Sequence, residues 1–220
     1  MIHIIKGAEP QALTQEKRNE VKLYSALTTD TLDAIRKQML EEQGYLCAYC
    51  MRRIVLGSIT IEHFLAQNPT DADYEAALTV DYHNMLGVCL GNECKGNFKK
   101  NLTCDKHRGN ISLTINPLQK HLVQLIKYKG DGTIYSDDPQ INKDLNETLN
   151  LNYEGVSFKK NRKAVLDSLK RSMDKNFAGK KVPVERLRQW LDACYIGENG
   201  MRDPFVGIAI YYLEKKIQRG

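Results

Sequence analysis

The stretch "LCAYC", residues 46–50, places two cysteines two residues apart, and Met51-Arg52-Arg53 follows them directly. A C-x-x-C pair serves either as a redox dithiol or as half of a metal site. A redox pair is expected at the end of a strand and at the start of a helix. This pair instead follows a predicted helix and precedes a predicted hairpin, which favours the metal site.

Further cysteines can complete that site. Cys89, Cys94 and Cys104 follow within the same region, and Cys194 lies far away in a predicted amphipathic helix, where it is better suited to be a buried apolar residue. Four thiolates in a tetrahedral array form a closed structural zinc site. Cys94 could replace Cys89 or Cys104, or stay free. The predicted zinc ligands are Cys47, Cys50, Cys89 and Cys104.

A second set of chemically active residues lies in the same region. Glu62 and His63 are adjacent, Asn84 follows 21 positions after His63, and His107 follows 23 positions after Asn84. Taken singly, such a histidine is more often a hydrogen-bonded surface residue, and such an asparagine caps a turn. Together, and placed between the candidate zinc ligands, the four residues form an ordered pattern of acid, His, Asn and His.

These motifs resemble the HNH endonucleases, whose fold is a β-hairpin, a metal and a helix. The fragments that carry the resemblance are "CAYC", "IEHF", the Asn84 segment and "CDKHRGN". The last is similar to the closing motif of the HNH domain in RNA-guided CRISPR nucleases, where Asn stands at the place of His107. With "KGAEPQALT", "INP", "LNLN" and the helical tail, the chain resembles the PtuB-like HNH nuclease subunits of Septu-type and retron-associated anti-phage systems.

The resemblance implies an α+β fold with a zinc-stabilised ββα-metal core at 45–117. That core lies between an N-terminal helical flank, 1–44, and a mainly helical, basic C-terminal region, 118–220, which could dock DNA or a partner. The implied function is a metal-dependent endonuclease that hydrolyses DNA phosphodiester bonds as the effector of bacterial anti-phage defence. The implied partners are DNA and a PtuA-like ABC/SMC-type ATPase, with a retron reverse transcriptase and its DNA as a further partner. The chain has no P-loop motif of its own.

The resemblance also implies a role for each residue. Glu62 and His107 would hold Mg²⁺ or Mn²⁺, and His63 would take a proton from the attacking water. Asn84 would fix the backbone or ring of His63, and Arg108 could contact phosphate. Many HNH nucleases have Asp where this chain has Glu62. His83, next to Asn84, is a rival for either histidine role.

The elements that position these residues are predicted from periodicity. Residues 30–44 predict a helix capped by Asp30, residues 52–64 a hairpin that bends at Gly57-Ser58, and residues 79–89 a short helical segment. Another hairpin is predicted to turn at residues 130–132. Three helices follow, over 161–177, 183–195 and 203–217, and Asp203 with Pro204 is expected to start the last one.

Length and charge restrict the class of protein further. The 220 residues suffice for one domain with appendages or for two small domains, with a core that needs no disulfides. We find neither a signal peptide nor an apolar run that could span a bilayer, so we expect a reducing cytoplasm and no membrane partner.

The positive charge is concentrated in residues 156–190, which contain eleven Lys or Arg and three acidic residues, whereas the whole chain carries +5. This excess is either a solvated helix face or a surface for phosphate groups. The predicted nucleic-acid contacts are Arg108, Lys159, Lys160, Lys170, Arg171 and Lys175.

Two other functions remain open at the level of sequence. The first is a non-catalytic zinc module that binds nucleic acid or a partner protein through residues 156–190. The second is a RING-like adaptor, for which the spacing is poor because only one close C-x-x-C pair exists. The sequence indicates neither the target, whether phage DNA, host DNA or RNA, nor a base preference.

Overall fold

The structure, a computed structural model, describes residues 1–66, 76–93, 98–178 and 180–219. Within these ranges the chain is mixed α+β, as predicted, and its strands form two small antiparallel sheets. The strands are β1 (Ile59–His63), β2 (Met85–Cys89), β3 (Ile126–Tyr128) and β4 (Ile134–Ser136). The helices are α1 (Gln11–Arg18), α2 (Thr29–Glu42), α3 (Cys104–Arg108), α4 (Lys120–Val123), α5 (Pro139–Lys143), α6 (Phe158–Phe177), α7 (Val184–Ile196) and α8 (Gly207–Gln218).

The first sheet differs from the predicted one. Strand β1 pairs with β2, from Ile59 opposite Cys89 to His63 opposite Met85, and not with a strand inside residues 52–64. The predicted bend is a single 3₁₀ turn at Leu56–Ser58. The predicted helical segment over 79–89 is wrong for its second half, since residues 85–89 form strand β2. Every residue of this strand is buried. A strand covered on both faces has a continuous apolar sequence, which periodicity does not distinguish from a buried helix.

The two cysteines of "LCAYC" lie in a tight turn that we call the cysteine knuckle, residues 46–53. Leu46 bridges to Arg53, and the backbone N–H of Met51 donates to the carbonyl of Cys47 at 3.0 Å. The N–H of Ala48 donates to the carbonyl of Gly87 in β2 at 3.0 Å. The knuckle is therefore attached to the middle of the first sheet.

Helix α2 leads into the knuckle. Its cap is Thr28, whose hydroxyl accepts the N–H of Thr31, and not the predicted Asp30. Just after the helix, the buried Gln43 side chain donates to the carbonyls of Leu46 at 2.8 Å and Gly87 at 2.7 Å, and accepts the Gly87 N–H. One buried amide thus joins α2, the knuckle and β2.

The C-terminal region matches its prediction more closely. Strands β3 and β4 form the predicted hairpin, and Gly132 takes a positive φ of 89° at its turn. Helices α6 and α7 cover the predicted segments. Helix α8 begins at Gly207, later than expected, because Phe205 has a left-handed φ of 61° through which a helix does not continue. The Phe205 N–H donates to the carbonyl of Met51, which fixes α8 on the knuckle.

The buried apolar residues form one large core and a small second cluster. The large core includes Ile35 of α2, Leu86 of β2, Ile134 of β4 and Ile208 of α8. It therefore draws on all three predicted segments, 1–44, 45–117 and 118–220. In the described part of the chain, no helix combines the length and the apolar character that crossing a membrane requires.

Candidate functional site

The four cysteines predicted as metal ligands meet in one buried cluster. Cys47 and Cys50 come from the knuckle, Cys89 ends β2, and Cys104 begins α3. None is more than 3% exposed, and all four thiols are free. The cluster therefore joins three separate pieces of the chain at one point.

The size of this cluster suits a tetrahedral metal ion. The Sγ–Sγ distances are 3.7 Å for Cys50–Cys89, 3.8 Å for Cys89–Cys104 and 4.0 Å for Cys47–Cys104, and all four sulfurs lie within 4.8 Å of one another. Sulfurs about 2.3 Å from a central zinc would be about 3.8 Å apart at tetrahedral angles. The alternative ligand Cys94 lies outside the described residues. Cys194 stands apart on α7, half-buried.

The electrostatics of the cluster favour a bound cation. Burial raises the pKa of the Cys50 and Cys104 thiols well above their usual value. For Cys47 burial acts in the same direction, but hydrogen bonds from Cys104, Cys50 and Cys89 outweigh it and hold its pKa well below the usual value. The positive charge of Arg52 interacts with the charges of the four cysteines. Because burial works against several thiolates in one place, ionising all four requires a compensating ion.

The tyrosine between the two knuckle cysteines reaches a different group. The hydroxyl of Tyr49, a fully buried side chain, donates to Oε1 of Glu62 at 3.2 Å. Glu62 is 7% exposed and also forms an ion pair with Arg108. The knuckle that presents the cysteines therefore also orients the carboxylate at the end of β1.

Asp105 is a member of this site that the sequence analysis missed. Its negative charge acts on the Glu62 carboxyl. Burial, with this acidic neighbour, raises the pKa of Glu62 well above its usual value. A nearby negative charge disfavours the ionised form of a buried carboxyl such as Glu62, and a proton or a cation relieves this repulsion. The signal available in the sequence was the position of Asp105 two residues before His107, within "CDKHRGN".

Arg108 differs from its prediction as a phosphate contact. Its side chain has no exposed surface. Besides the ion pair with Glu62, it donates to the carbonyls of Phe64 at 2.5 Å, Ile111 at 2.7 Å and His63 at 3.3 Å. The guanidinium thus uses its donors inside the protein, where α3 packs against β2 and Arg108 reaches the end of β1. Arg108 is a buried clamp between α3 and the end of β1.

His63 is held in one orientation. Its Nε2 lies 2.8 Å from the carbonyl of Thr79, and the ring meets Tyr24 edge-on at 4.9 Å between centroids. A carbonyl only accepts, so Nε2 carries the proton and Nδ1 is the basic nitrogen of the neutral ring. Burial lowers the pKa of His63 below its usual value, which favours this neutral form.

Asn84 fixes the chain directly after His63. Its Oδ1 accepts the Leu65 N–H at 2.7 Å, and its Nδ2 donates to the carbonyls of Leu65 and Leu78, each at 3.1 Å. The backbone carbonyl of Asn84 also accepts the N–H of Phe64 at 2.8 Å. The contacts are with the residues that follow His63, and not with its ring.

His107 is oriented from behind. Its Nδ1 lies 2.9 Å from the carbonyl of Thr148, so Nδ1 is the donor and Nε2 is left as the ligand atom. Apart from the four cysteines, the described residues contain no group of three or more His, Cys, Asp or Glu with ligand atoms that close together. Glu62 and His107 therefore do not belong to a preformed cluster of three protein ligands.

The rival histidine and the basic residues occupy other places. The side chain of His83 is 65% exposed and lies 3.7 Å from Asp81. Lys159 pairs with Glu154 at 2.8 Å, and Lys170 lies 5.6 Å from the centre of the Tyr212 ring. The other predicted contacts on α6 are exposed: Lys160, Arg171 and Lys175.

Comparison of the chain with known protein families, and with curated proteins, found no match.

Proposed function

We propose that this chain is a metal-dependent endonuclease of the HNH class that hydrolyses DNA phosphodiester bonds. One observation carries the proposal. His63, at the end of β1, donates from Nε2 to the Thr79 carbonyl, which leaves Nδ1 as the base, while Asn84 pins the residues that follow. The chain order of antiparallel β1 and β2 followed by helix α3 supports the same class.

The cysteine cluster has a structural role in this proposal, and its ion is zinc. Four thiolates leave a tetrahedral ion no open position for substrate. The ion would fasten the knuckle to the end of β2 and the start of α3. Through Tyr49 and Arg108, these elements in turn orient Glu62.

A second ion, Mg²⁺ or Mn²⁺, is the catalytic cofactor of the proposal. Glu62 and Asp105 offer hard oxygen ligands, and a bound cation would offset the repulsion that raises the pKa of Glu62. His107 offers Nε2 from the same helix as Asp105. When bound, such an ion draws negative charge from the scissile phosphate and the leaving oxygen.

The protein's own residues supply the rest of the chemistry. Nδ1 of His63 accepts a proton from the attacking water, and the Thr79 carbonyl keeps the ring in the tautomer that makes this possible. Asn84 is a positioning residue, because its side chain bonds the backbone of Leu65 and of Leu78. Arg108 holds α3 against the end of β1, and so fixes the separation between His107 and His63.

The biological setting follows from the motif resemblance. The chain would be the effector of a bacterial anti-phage system in the cytoplasm and would act with an ABC/SMC-type ATPase. A retron reverse transcriptase with its DNA is the further partner that the resemblance implies. Because the sequence lacks a P-loop motif, any nucleotide hydrolysis would belong to the partner.

One observation favours the second candidate, a non-catalytic zinc module that binds nucleic acid or a partner protein. Oε1 of Glu62 is already occupied by Tyr49 and Arg108, which is how a purely structural carboxylate would be held. In that case His63 would be a buried residue whose hydrogen bond to the Thr79 carbonyl serves only the fold. Binding would then be indifferent to changes at His63.

Cleavage of supercoiled plasmid by the purified chain separates the two candidates. We expect nicking or linearisation with Mg²⁺ or Mn²⁺, and its loss with EDTA and in His63→Ala. If the isolated chain does not cut, the same comparison is made with the ATPase encoded beside it. Cleavage that survives His63→Ala would refute the proposed base. Absence of cleavage with the ATPase present would favour the zinc module.

A further inference from the structure

A concave, basic surface lies between α6, the segment before α7, and α8. Its main cavity has a volume of about 600 Å³. Lys170, Lys180, Lys181, Lys216 and Arg219 line it, together with a single acidic residue, Asp174. We call this surface the basic groove. None of its lining residues belongs to the predicted nuclease core.

The basic groove continues into a second cavity of about 360 Å³, which shares Lys170, Tyr212, Lys216 and Arg219 with the first. The second cavity adds Lys129, Lys215 and Tyr211 to the lining. Seven cationic side chains therefore follow one continuous path, so a ligand longer than a single small anion would meet positive charge along its length.

The cations of the basic groove are not engaged in ion pairs with other described residues. Across the part of the chain that the structure describes, none of its seven cations forms an ion pair within 4.0 Å. Elsewhere on α6, by contrast, Lys159 pairs with Glu154 and Lys163 with Asp167. Like charges held in a concavity focus their field, which favours an anionic ligand there.

Aromatic rings stand between these cations. The Nζ atoms of Lys170 and Lys216 each lie 5.6 Å from the centre of the Tyr212 ring, and Nζ of Lys215 lies 5.1 Å from that of Tyr211. Cations that follow a backbone beside aromatic rings that stack on bases are the recurring arrangement for single-stranded nucleic acids. Met173, Val182 and Leu187 give the cavity an apolar floor.

The dimensions favour a single strand over a duplex. A cavity of about 600 Å³ lies within the range of about 300–1,000 Å³ typical of pockets for small ligands. A duplex, whose major groove alone is about 12 Å wide, does not fit inside such a space. One strand with its bases unstacked can place phosphates beside the lysines and bases beside the tyrosines.

We propose that the basic groove is a binding site for single-stranded nucleic acid, separate from the His63 site. Its residues differ from those expected from the sequence. Lys170 is common to both sets, while Lys180, Lys181, Lys216 and Arg219 replace the outer-face residues of α6. The proposal does not depend on cleavage, so it can fail or succeed independently of the proposed nuclease activity.

The test is fluorescence anisotropy with a labelled 20-nucleotide oligothymidine in buffer without added Mg²⁺ or Mn²⁺, which withholds the proposed catalytic ion and leaves the zinc of the cysteine cluster in place. The groove variant is Lys181→Glu/Lys216→Glu, and the matched control is Lys37→Glu/Lys143→Glu, which changes two exposed lysines elsewhere by the same charge. We expect the groove variant to weaken binding at least about ten-fold and to reduce the salt slope by about 1.4, as for two lost phosphate contacts on a single strand. The control should bind like the wild type.

Two further arms identify the ligand and the surface. Tyr212→Leu keeps all the charges and should weaken binding about five-fold or more through lost stacking. A duplex of equal length and polyglutamate should both compete poorly. Equal affinity for the duplex or the polyglutamate would overturn the proposal. It would also be overturned if Lys160→Glu/Lys175→Glu, on the outer face of α6, lost as much affinity as the groove variant. Circular dichroism of each variant verifies folding.

Discussion

Replacement of Cys89 by serine tests the metal centre most sharply. Its Sγ lies 3.7 Å from that of Cys50 in the knuckle and 3.8 Å from that of Cys104 in α3. Cys89 therefore adjoins predicted ligands from both of the other two chain segments. The matched control is Cys194→Ser, at a half-buried cysteine of α7 outside the cluster. Both variants lose one thiol, but only the first loses a predicted ligand.

The expected effect is large. A structural zinc in a small domain binds with about 10–16 kcal/mol of apparent free energy, whereas a whole domain is stable by only about 5–15 kcal/mol. Because the four ligands join the knuckle, β2 and α3, weakening the site should loosen all three together. We therefore expect Cys89→Ser to lose most of its zinc and its cooperative unfolding transition, and Cys194→Ser to keep both.

Elemental analysis measures the amount of metal per chain, and X-ray absorption at the zinc edge measures the number and distance of the sulfur ligands. The wild type should contain one zinc with four sulfur neighbours at about 2.3 Å. The reasoning would be refuted if the wild type, purified without chelator, held no metal, or if Cys89→Ser kept as much zinc as Cys194→Ser. Fewer than four sulfurs around the ion would contradict the assigned ligand set.

Three further predictions concern stability, each measured by urea unfolding. Arg108→Met removes the ion-pair partner of Glu62 in the interior and should lower the free energy of unfolding by about 3–5 kcal/mol. The control Lys106→Met, at a surface ion pair, should lower it by less than about 1 kcal/mol. Equal losses in the two variants would contradict the role of Arg108 as a buried clamp. Gly132→Ala should lower the free energy of unfolding by more than about 1 kcal/mol, because φ is 89° and a Cβ would collide with the carbonyl of Lys159. Gly130→Ala, which has open space around it, should be close to neutral. A Gly132→Ala variant as stable as the wild type would show that the turn has another conformation. Asn84→Ala removes three side-chain hydrogen bonds and should cost about 1–3 kcal/mol; no loss would mean that the segment after β1 is held by other contacts.

The structural elements that were predicted correctly are those determined by residues close together in the sequence. The C-x-x-C spacing of Cys47 and Cys50 indicated half of a metal site, and the Gly-Asp-Gly sequence at residues 130–132 indicated a hairpin turn, both without tertiary information. Helices α6 and α7 follow from their apolar spacing for the same reason. The ligand set also emerged correctly as a cluster, because few other cysteines were available to complete it.

The parts that failed depend on packing between distant residues. Strand β2 was taken for a helix because its apolar run carries no period of its own once both faces are covered. The hydrogen bond of Tyr49 to Glu62, and the effect of Asp105 on the pKa of Glu62, join residues far apart in sequence, so no local pattern contains them. Arg108 was predicted as a phosphate contact, whereas its hydrogen bonds to residues 62–64 lie inside the protein and leave its side chain no exposed surface.

The central claim, that His63 is the general base of a nuclease, is tested most directly by chemical rescue. His63→Gly should fail to cut supercoiled plasmid in Mg²⁺ or Mn²⁺, and added imidazole should restore cutting in proportion to its concentration. His83→Ala should cut like the wild type, since that side chain is exposed and lies beside Asp81. Undiminished cleavage by His63→Gly without imidazole, or loss of cleavage in His83→Ala, would contradict the account.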